Sequence, residues 1–80
     1  SMSLVLAGDV GGTKTLLGLY DGGGPRPAVR SIRAYPTTAH ASLAAMLRAF
    51  LDAEQVPAGR VRAACFGVAG PVLGDTAELT

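Results

Sequence analysis

The chain opens with an apolar run, Leu4-Val5-Leu6-Ala7-Gly8, whose successive residues put apolar side chains on both faces of a strand, as inside a sheet. A second strand is expected from about Thr13 to Tyr20. Its apolar stretch, Leu16-Leu17-Gly18-Leu19-Tyr20, is bounded by turn residues and suits a buried strand antiparallel to the first. Asp21-Gly22-Gly23-Gly24-Pro25-Arg26-Pro27 interrupts the pattern; its glycines and prolines exclude regular structure and predict a loop. From Ala28 to Tyr35, Val29, Ser31, Arg33 and Tyr35 alternate with Arg30, Ile32 and Ala34. The two arginines are expected as solvated charges on an edge strand, which Pro36 ends.

The period then changes. Leu43, Met46, Leu47, Phe50 and Leu51 fall on one face of a helix predicted from His40 or Ser42 to Glu54, with Met46 and Phe50 in the core. Thr38 and Ser42 are both candidate N-caps, and Pro57 and Gly59 stop the helix. Val61 to Val68 predicts a fourth strand, apolar on both faces at Ala63-Ala64-Cys65-Phe66 and so expected to be covered. Gly70-Pro71 marks a sharp turn, and a hairpin around Gly74-Asp75 should follow, its return strand reaching Thr80.

A helix between strands makes a crossover, which predicts that the fourth strand runs parallel to the first. Ligands in open α/β sheets bind outside the carboxyl ends of strands. This topology brings Gly67, Ala69, Gly70 and Pro71 towards Asp9. One helix covers one face of such a sheet, so the pattern is that of a partial domain. A chain of 80 residues buries only roughly 60% of its unfolded surface, which favours reading residues 1–80 as the N-terminal part of a larger domain.

Composition narrows the function classes. Apolar residues make up 49% and charged residues 16%, with net charge +1; this excludes the low hydrophobicity and high charge of disordered chains. The Lys and Arg residues are scattered, without the basic stripe that nucleic-acid binding needs. No apolar run approaches the roughly 18 residues of a membrane span, and Leu4–Gly8 is too short for a signal-peptide core. Ser1-Met2 reads as a cleavage scar. Cys65, the single cysteine, is expected as a buried free thiol, compatible with a reducing cytoplasm. His40, the single histidine, has no His or Cys partner and is expected at the surface.

The candidate chemistry lies in Gly8-Asp9-Val10-Gly11-Gly12-Thr13-Lys14-Thr15. Gly11 and Gly12 can take φ > 0, which is expected at the bend, and admit a ligand close to the backbone. Successive N–H groups in such a turn can hold an anion, Thr13 adds a hydroxyl and Lys14 a mobile positive charge. Asp9 beside a phosphate cradle suits Mg²⁺, which is held by one or two carboxylates plus phosphate oxygens and waters. A Walker P-loop, G-x-x-x-x-G-K-[ST], fails here because Thr13 stands where its second glycine belongs. The loop at Gly22-Gly23-Gly24 invites the same reading, but it joins strands at the opposite end of the hairpin.

Asp9-x-Gly11-Gly12-Thr13-Lys14 resembles the first phosphate motif of the actin/hexokinase/Hsp70 superfamily. With Gly67-Val68-Ala69-Gly70-Pro71-Val72, the chain resembles bacterial glucokinases over nearly its whole length. That resemblance implies the opening β-β-β-α-β of a ribonuclease-H-like, actin-like ATPase domain. It implies ATP-dependent phosphorylation of glucose at its 6-hydroxyl, with polyphosphate left open as the donor, and a cytoplasmic enzyme that is a homodimer when full length. Gly8, Asp9, Val10, Gly11, Gly12, Thr13 and Lys14 would surround the ATP phosphates, although relatives carry Asn at the position of Lys14. Asp9 would hold Mg²⁺ directly or through water, and Gly67, Ala69, Gly70 and Pro71 would form a substrate-proximal loop. The family's general base belongs to an Asn-Asp pair. The chain contains no Asn, so no catalytic base is assigned in it. The base is expected beyond Thr80, and the 80 residues alone are expected to be inactive. The family's sugar-contacting Glu and His are not transferred to Glu78 or His40. Two alternatives remain: another sugar kinase or sugar-responsive repressor of the superfamily, or a non-catalytic interaction module. A repressor would carry a winged helix-turn-helix ahead of the motif, and the start at Ser3, close to Asp9, argues against it.

Overall fold

The computed structural model describes residues 3–23, 25–26 and 28–68. Strands β1 (Leu4–Val10), β2 (Lys14–Asp21) and β3 (Ala28–Pro36) are followed by helix α1 (Leu43–Glu54), a 3₁₀ turn (Ala58–Arg60) and β4 (Val61–Val68). The strands form one mixed sheet in the order β3-β2-β1-β4. β1 pairs antiparallel with β2, matching Val10 to Thr15 and Leu6 to Leu19. It pairs parallel with β4, matching Asp9 to Gly67. The expected crossover is therefore present, and β3 lies at the edge as its arginines predict. β1 extends to Val10, past the expected Gly8, and β2 begins at Lys14. The expected turn at Gly70-Pro71, the hairpin at Gly74-Asp75 and the return strand to Thr80 lie outside the described residues.

Side chains alternate across the sheet. Leu4 and Leu6 of β1 and Leu17 and Leu19 of β2 share the face on which α1 lies. They form the buried core with Met46, Phe50 and Val56. Tyr35, Leu47, Leu51, Val61 and Phe66 pack around it. The opposite face has no such cover among the described residues. On it Leu16 is 37% and Ile32 54% exposed.

This one-sided burial corrects two expectations. β4 is not a covered strand: it is the outer strand of the described sheet, and Ala63, Ala64 and Cys65 are exposed. Cys65 pairs with Ala7 on the face away from α1, so its thiol is exposed rather than buried. α1 packs on the leucines of β1 and β2: Ala63 and Cys65 lie on the face it does not touch, and Ala64, level with Leu6, lies on its face but at the outer strand beyond those leucines.

Ser42 is the N-cap; its hydroxyl accepts a hydrogen bond from the Ala45 N–H at 3.1 Å. This satisfies one of the unpaired donors of the first turn and starts the helix at Leu43. The helix ends with Gln55 in the left-handed region, φ 60° and ψ 41°, and with the Val56 N–H donating to Leu51 O at 2.9 Å. His40 is half-buried, its ring edge-on to Tyr35 at 5.8 Å. Arg33 is paired rather than solvated alone: its Nε donates to the Glu54 carboxylate and ties β3 to the end of α1. That hydrogen bond, with the guanidinium charge, holds the Glu54 carboxyl below its ordinary range. The pair is exposed, and such pairs contribute little to stability.

Phe50 is fully buried at the centre of the α1–sheet contact. Phe50→Ala should therefore cost about 3–5 kcal/mol of unfolding free energy, read by chemical denaturation of the protein. A loss under about 1 kcal/mol would contradict the packing described.

Candidate functional site

The turn between β1 and β2 is closed from within. The Gly11 N–H donates to Lys14 O at 2.9 Å, one step beyond the Val10–Thr15 pair. It is also closed from outside, by Thr37. The Thr37 N–H donates to Thr13 O at 2.9 Å, carrying the β2–β3 ladder one rung past Lys14 and Pro36. The Thr37 hydroxyl donates to Gly11 O at 2.8 Å. It lies 2.9 Å from the Thr15 hydroxyl. A hydroxyl has one proton to give, so Thr15 is the donor in that second contact. Thr15 is fully buried on the helix-facing side of β2, and Thr37 gives it the partner a buried hydroxyl requires.

The glycines of the motif have different jobs. A Cβ on Gly8 would come within 2.9 Å of the Phe66 ring and 3.1 Å of Leu17; Gly8 makes room for Phe66 to reach the core across the β1–β4 pair. A Cβ on Gly11 would meet Lys14 O at 2.9 Å, whereas one on Gly12 would meet nothing within 4 Å. Neither turn glycine adopts the left-handed φ expected at the bend. Gly11 is required because two backbone segments approach there, and Gly12 leaves open space above the turn.

The N–H of Gly11 is already committed to Lys14. Among the described residues, the N–H groups of Gly12 and Thr13 make no hydrogen bond. These two are the backbone donors available to an anion. Thr13 and Lys14 are exposed beside them. Asp9 is exposed one residue before the end of β1, next to Gly67 of β4. Asp9, Gly67 and the turn thus meet at the carboxyl ends of two parallel strands. Ala69, Gly70 and Pro71 lie outside the described residues, as does Thr80, beyond which the general base is expected. No group of three or more His, Cys, Asp or Glu side chains converges among the described residues. A lone carboxylate cannot cage a metal. It does fit Mg²⁺, which retains waters and completes its shell with phosphate oxygens.

On the open face, Ala7, Gly8, Asp9, Leu16, Leu17, Gly18, Tyr20 and Ile32 line a depression of about 200 Å³. It exists because Gly18 has no side chain; a Cβ there would touch the Tyr20 ring at 2.9 Å. The Gly22–Gly23 loop lies at the far end of β2, with Gly23 N–H bonded to its own Asp21 carboxylate at 3.2 Å. It is remote from Asp9, as expected. No helix among the described residues is long and apolar enough to cross a membrane.

The residue missed in the sequence is Thr37. Its signal was Thr15, a hydroxyl on the same strand face as Leu17 and Leu19 that had to find a partner.

The chain is thus an α/β protein with a glycine-turn hairpin and an exposed acidic side chain at the carboxyl ends of a parallel strand pair. The sequence profile of the Glucokinase family matches residues 6–80, and the chain belongs to that family. It is 38% identical over 80 residues to a glucokinase of Trichormus variabilis, covering 99% of this chain and 23% of that protein. It is 37% identical over 83 residues to a glucokinase of Synechocystis, covering 94% and 23%. To a glucokinase of Pectobacterium atrosepticum it is 38% identical over 76 residues, covering 95% and 22%. The chain therefore spans less than a quarter of the length of these relatives. In fold it is similar to the Aquifex aeolicus member of the Ppx/GppA family, with a TM-score of 0.51 at 10% identity, over 88% of this chain and 26% of that one.

The contrast between the two glycines is measurable. Gly11→Ala forces its Cβ against the Lys14 carbonyl and should cost roughly 1–3 kcal/mol of stability. Gly12→Ala should stay within about 0.5 kcal/mol. Denaturant unfolding of both variants checks this; equal losses would contradict the geometry of the turn.

Proposed function

We propose that this chain is the nucleotide-phosphate-binding opening of an ATP-dependent glucose kinase, folded as the first β-β-β-α-β unit of a ribonuclease-H-like domain. The observation that carries the reading is the convergence of Asp9, Gly67 and the Gly11–Lys14 turn at the carboxyl ends of β1 and β4. Residues 1–80 are then part of a larger nucleotide-binding domain. The exposed apolar face bearing Leu16 and Ile32 favours this, since soluble proteins rarely leave large contiguous apolar patches bare.

In this reading the Gly12 and Thr13 N–H groups and the Thr13 hydroxyl bind phosphate oxygens of ATP. Lys14 adds positive charge at the rim. The open space over Gly12 lets the phosphates approach the backbone. Asp9 holds Mg²⁺ directly or through water; when bound, the ion neutralises charge on the phosphates during transfer. Gly67, with the loop that follows it at Ala69, Gly70 and Pro71, faces the sugar side of the transfer. The acceptor is the 6-hydroxyl of glucose. The base that accepts its proton is supplied by residues beyond Thr80, since these 80 contain no Asn-Asp pair. Phosphoryl transfer is governed by positioning and electrostatic stabilisation, and these residues contribute the nucleotide half of both.

Asp9→Asn in the whole kinase tests the assignment. It keeps the shape of the side chain and removes the charge that faces the metal. Loss of several kcal/mol of transition-state stabilisation corresponds to a fall in kcat of about a hundredfold or more. Glucose affinity, measured by calorimetry, should hardly change. A kcat near that of the parent at saturating Mg²⁺ would refute the role of Asp9.

A further inference from the structure

We propose that Thr37 is a positioning residue for the phosphate turn. It acts through Gly11 and Thr13 and touches no substrate. The proposal rests on the phosphate reading above and adds what holds the turn in shape.

Gly12 and Thr13 can present their N–H groups to phosphate only while the backbone from Gly11 to Lys14 is fixed. Glycine has no Cβ to restrict its backbone, so the restriction must come from hydrogen bonds. Within the turn itself there is one, from Gly11 N–H to Lys14 O. The other two come from Thr37. Its N–H takes Thr13 O at 2.9 Å, and its hydroxyl takes Gly11 O at 2.8 Å. The carbonyls of Gly11 and Thr13 are therefore tied to one residue of the β3–α1 connection. The Gly11–Gly12 peptide, which carries the Gly12 N–H, and the Thr13–Lys14 peptide are each held by their oxygen, so the Gly12–Thr13 peptide between them, which carries the Thr13 N–H, is anchored at both ends.

The Thr37 hydroxyl is itself oriented. It receives the proton of Thr15, at 2.9 Å, and Thr15 is fully buried. The relay runs Thr15 hydroxyl to Thr37 hydroxyl to Gly11 carbonyl. Because each hydroxyl has one proton, this is the arrangement that leaves the Thr37 proton for Gly11. Chains of this kind strengthen their members. The relay also couples the turn to the core, since Thr15 shares its strand face with Leu17 and Leu19. Thr37 lies one residue past the last rung of β3, at Pro36. A hydroxyl residue there reaches back over the turn without interrupting the ladder.

The test compares Thr37→Val and Thr37→Ser in the whole kinase. Valine keeps the β-branched shape and the backbone N–H to Thr13 but removes the hydroxyl. It should raise the KM for ATP about tenfold, equivalent to about 1.4 kcal/mol, with the KM for glucose within about twofold. Thr37→Ser keeps the hydroxyl and should hold the ATP KM within about twofold of the parent. A Thr37→Val enzyme with an unchanged ATP KM, whatever its melting temperature, overturns the proposal. So does a Ser variant as impaired as Val, because packing rather than the hydroxyl would then be responsible. If Thr37→Val does not yield folded protein, Thr37→Ala removes the same hydroxyl and is read by the same criteria. Gly12→Val, measured alongside, separates the two levels of the argument: it should raise the ATP KM by blocking the approach of phosphate. If Gly12→Val raises it and Thr37→Val does not, the positioning role alone is overturned. If neither does, the phosphate reading fails and the positioning role falls with it.

Discussion

β1 is hydrogen-bonded along both edges, to β2 in the antiparallel sense and to β4 in the parallel sense. Every other feature of the site depends on that double ladder. Backbone N–H and C=O groups must be paired when buried, and a strand with partners on both sides has no freedom to slip. A one-residue slip would turn Leu4 and Leu6 out of the core and bring Asp9 to the helix side. The ladder therefore fixes the face on which Asp9 appears as well as its height along the sheet. The parallel partner brings Gly67 level with Asp9; the antiparallel partner obliges the chain to turn just beyond it.

Burial on one side supplies the energy for this arrangement. Four leucines from two adjacent strands meet Met46, Phe50 and Val56, and α1 is held at both ends by Ser42 and by the reversal at Gln55 and Val56. The second face bears Cys65, Ile32 and the depression over Gly18, all open to solvent. Asp9 belongs to this second face and the Thr15–Thr37 relay to the first. The turn sits between them, so Asp9 and the turn's structural anchor are on opposite sides of the sheet. That separation allows the turn to be rigid without its binding groups being consumed.

Much of this was legible in residue order because the patterns are local. The apolar spacing in α1 and the strand–helix–strand sequence determine that β4 lies parallel to β1, and the position of Asp9 relative to Gly67 follows. The Asp9 to Lys14 motif identifies the turn by composition. The rest depended on contacts that residue types do not display. Cys65 and Ala63 sit in an apolar run that looks covered, yet they stand on the face of the sheet that α1 does not touch. Gln55 takes a left-handed position usually given to glycine, with Pro57 and Gly59, the visible stop signals, arriving only afterwards. Gly11 and Gly12 look alike in sequence; one is pressed against a carbonyl and the other stands in open space. Thr37 lies far from the motif in sequence and meets it only because β3 returns alongside β2.

The central claim is that phosphate and metal bind at the Asp9 end of the sheet. Paramagnetic broadening of backbone amide signals in the whole kinase, with Mn²⁺ replacing Mg²⁺ in complex with ATP, tests it most directly. β2 has eight residues and spans roughly 25 Å at about 3.3 Å per residue, so its two ends are resolved by the distance dependence of the effect. The account predicts that the amides of Gly11, Gly12, Thr13 and Gly67 broaden first while those of Asp21 to Gly23 remain sharp. Broadening centred on Asp21 to Gly23, or none that distinguishes the two ends, would contradict it.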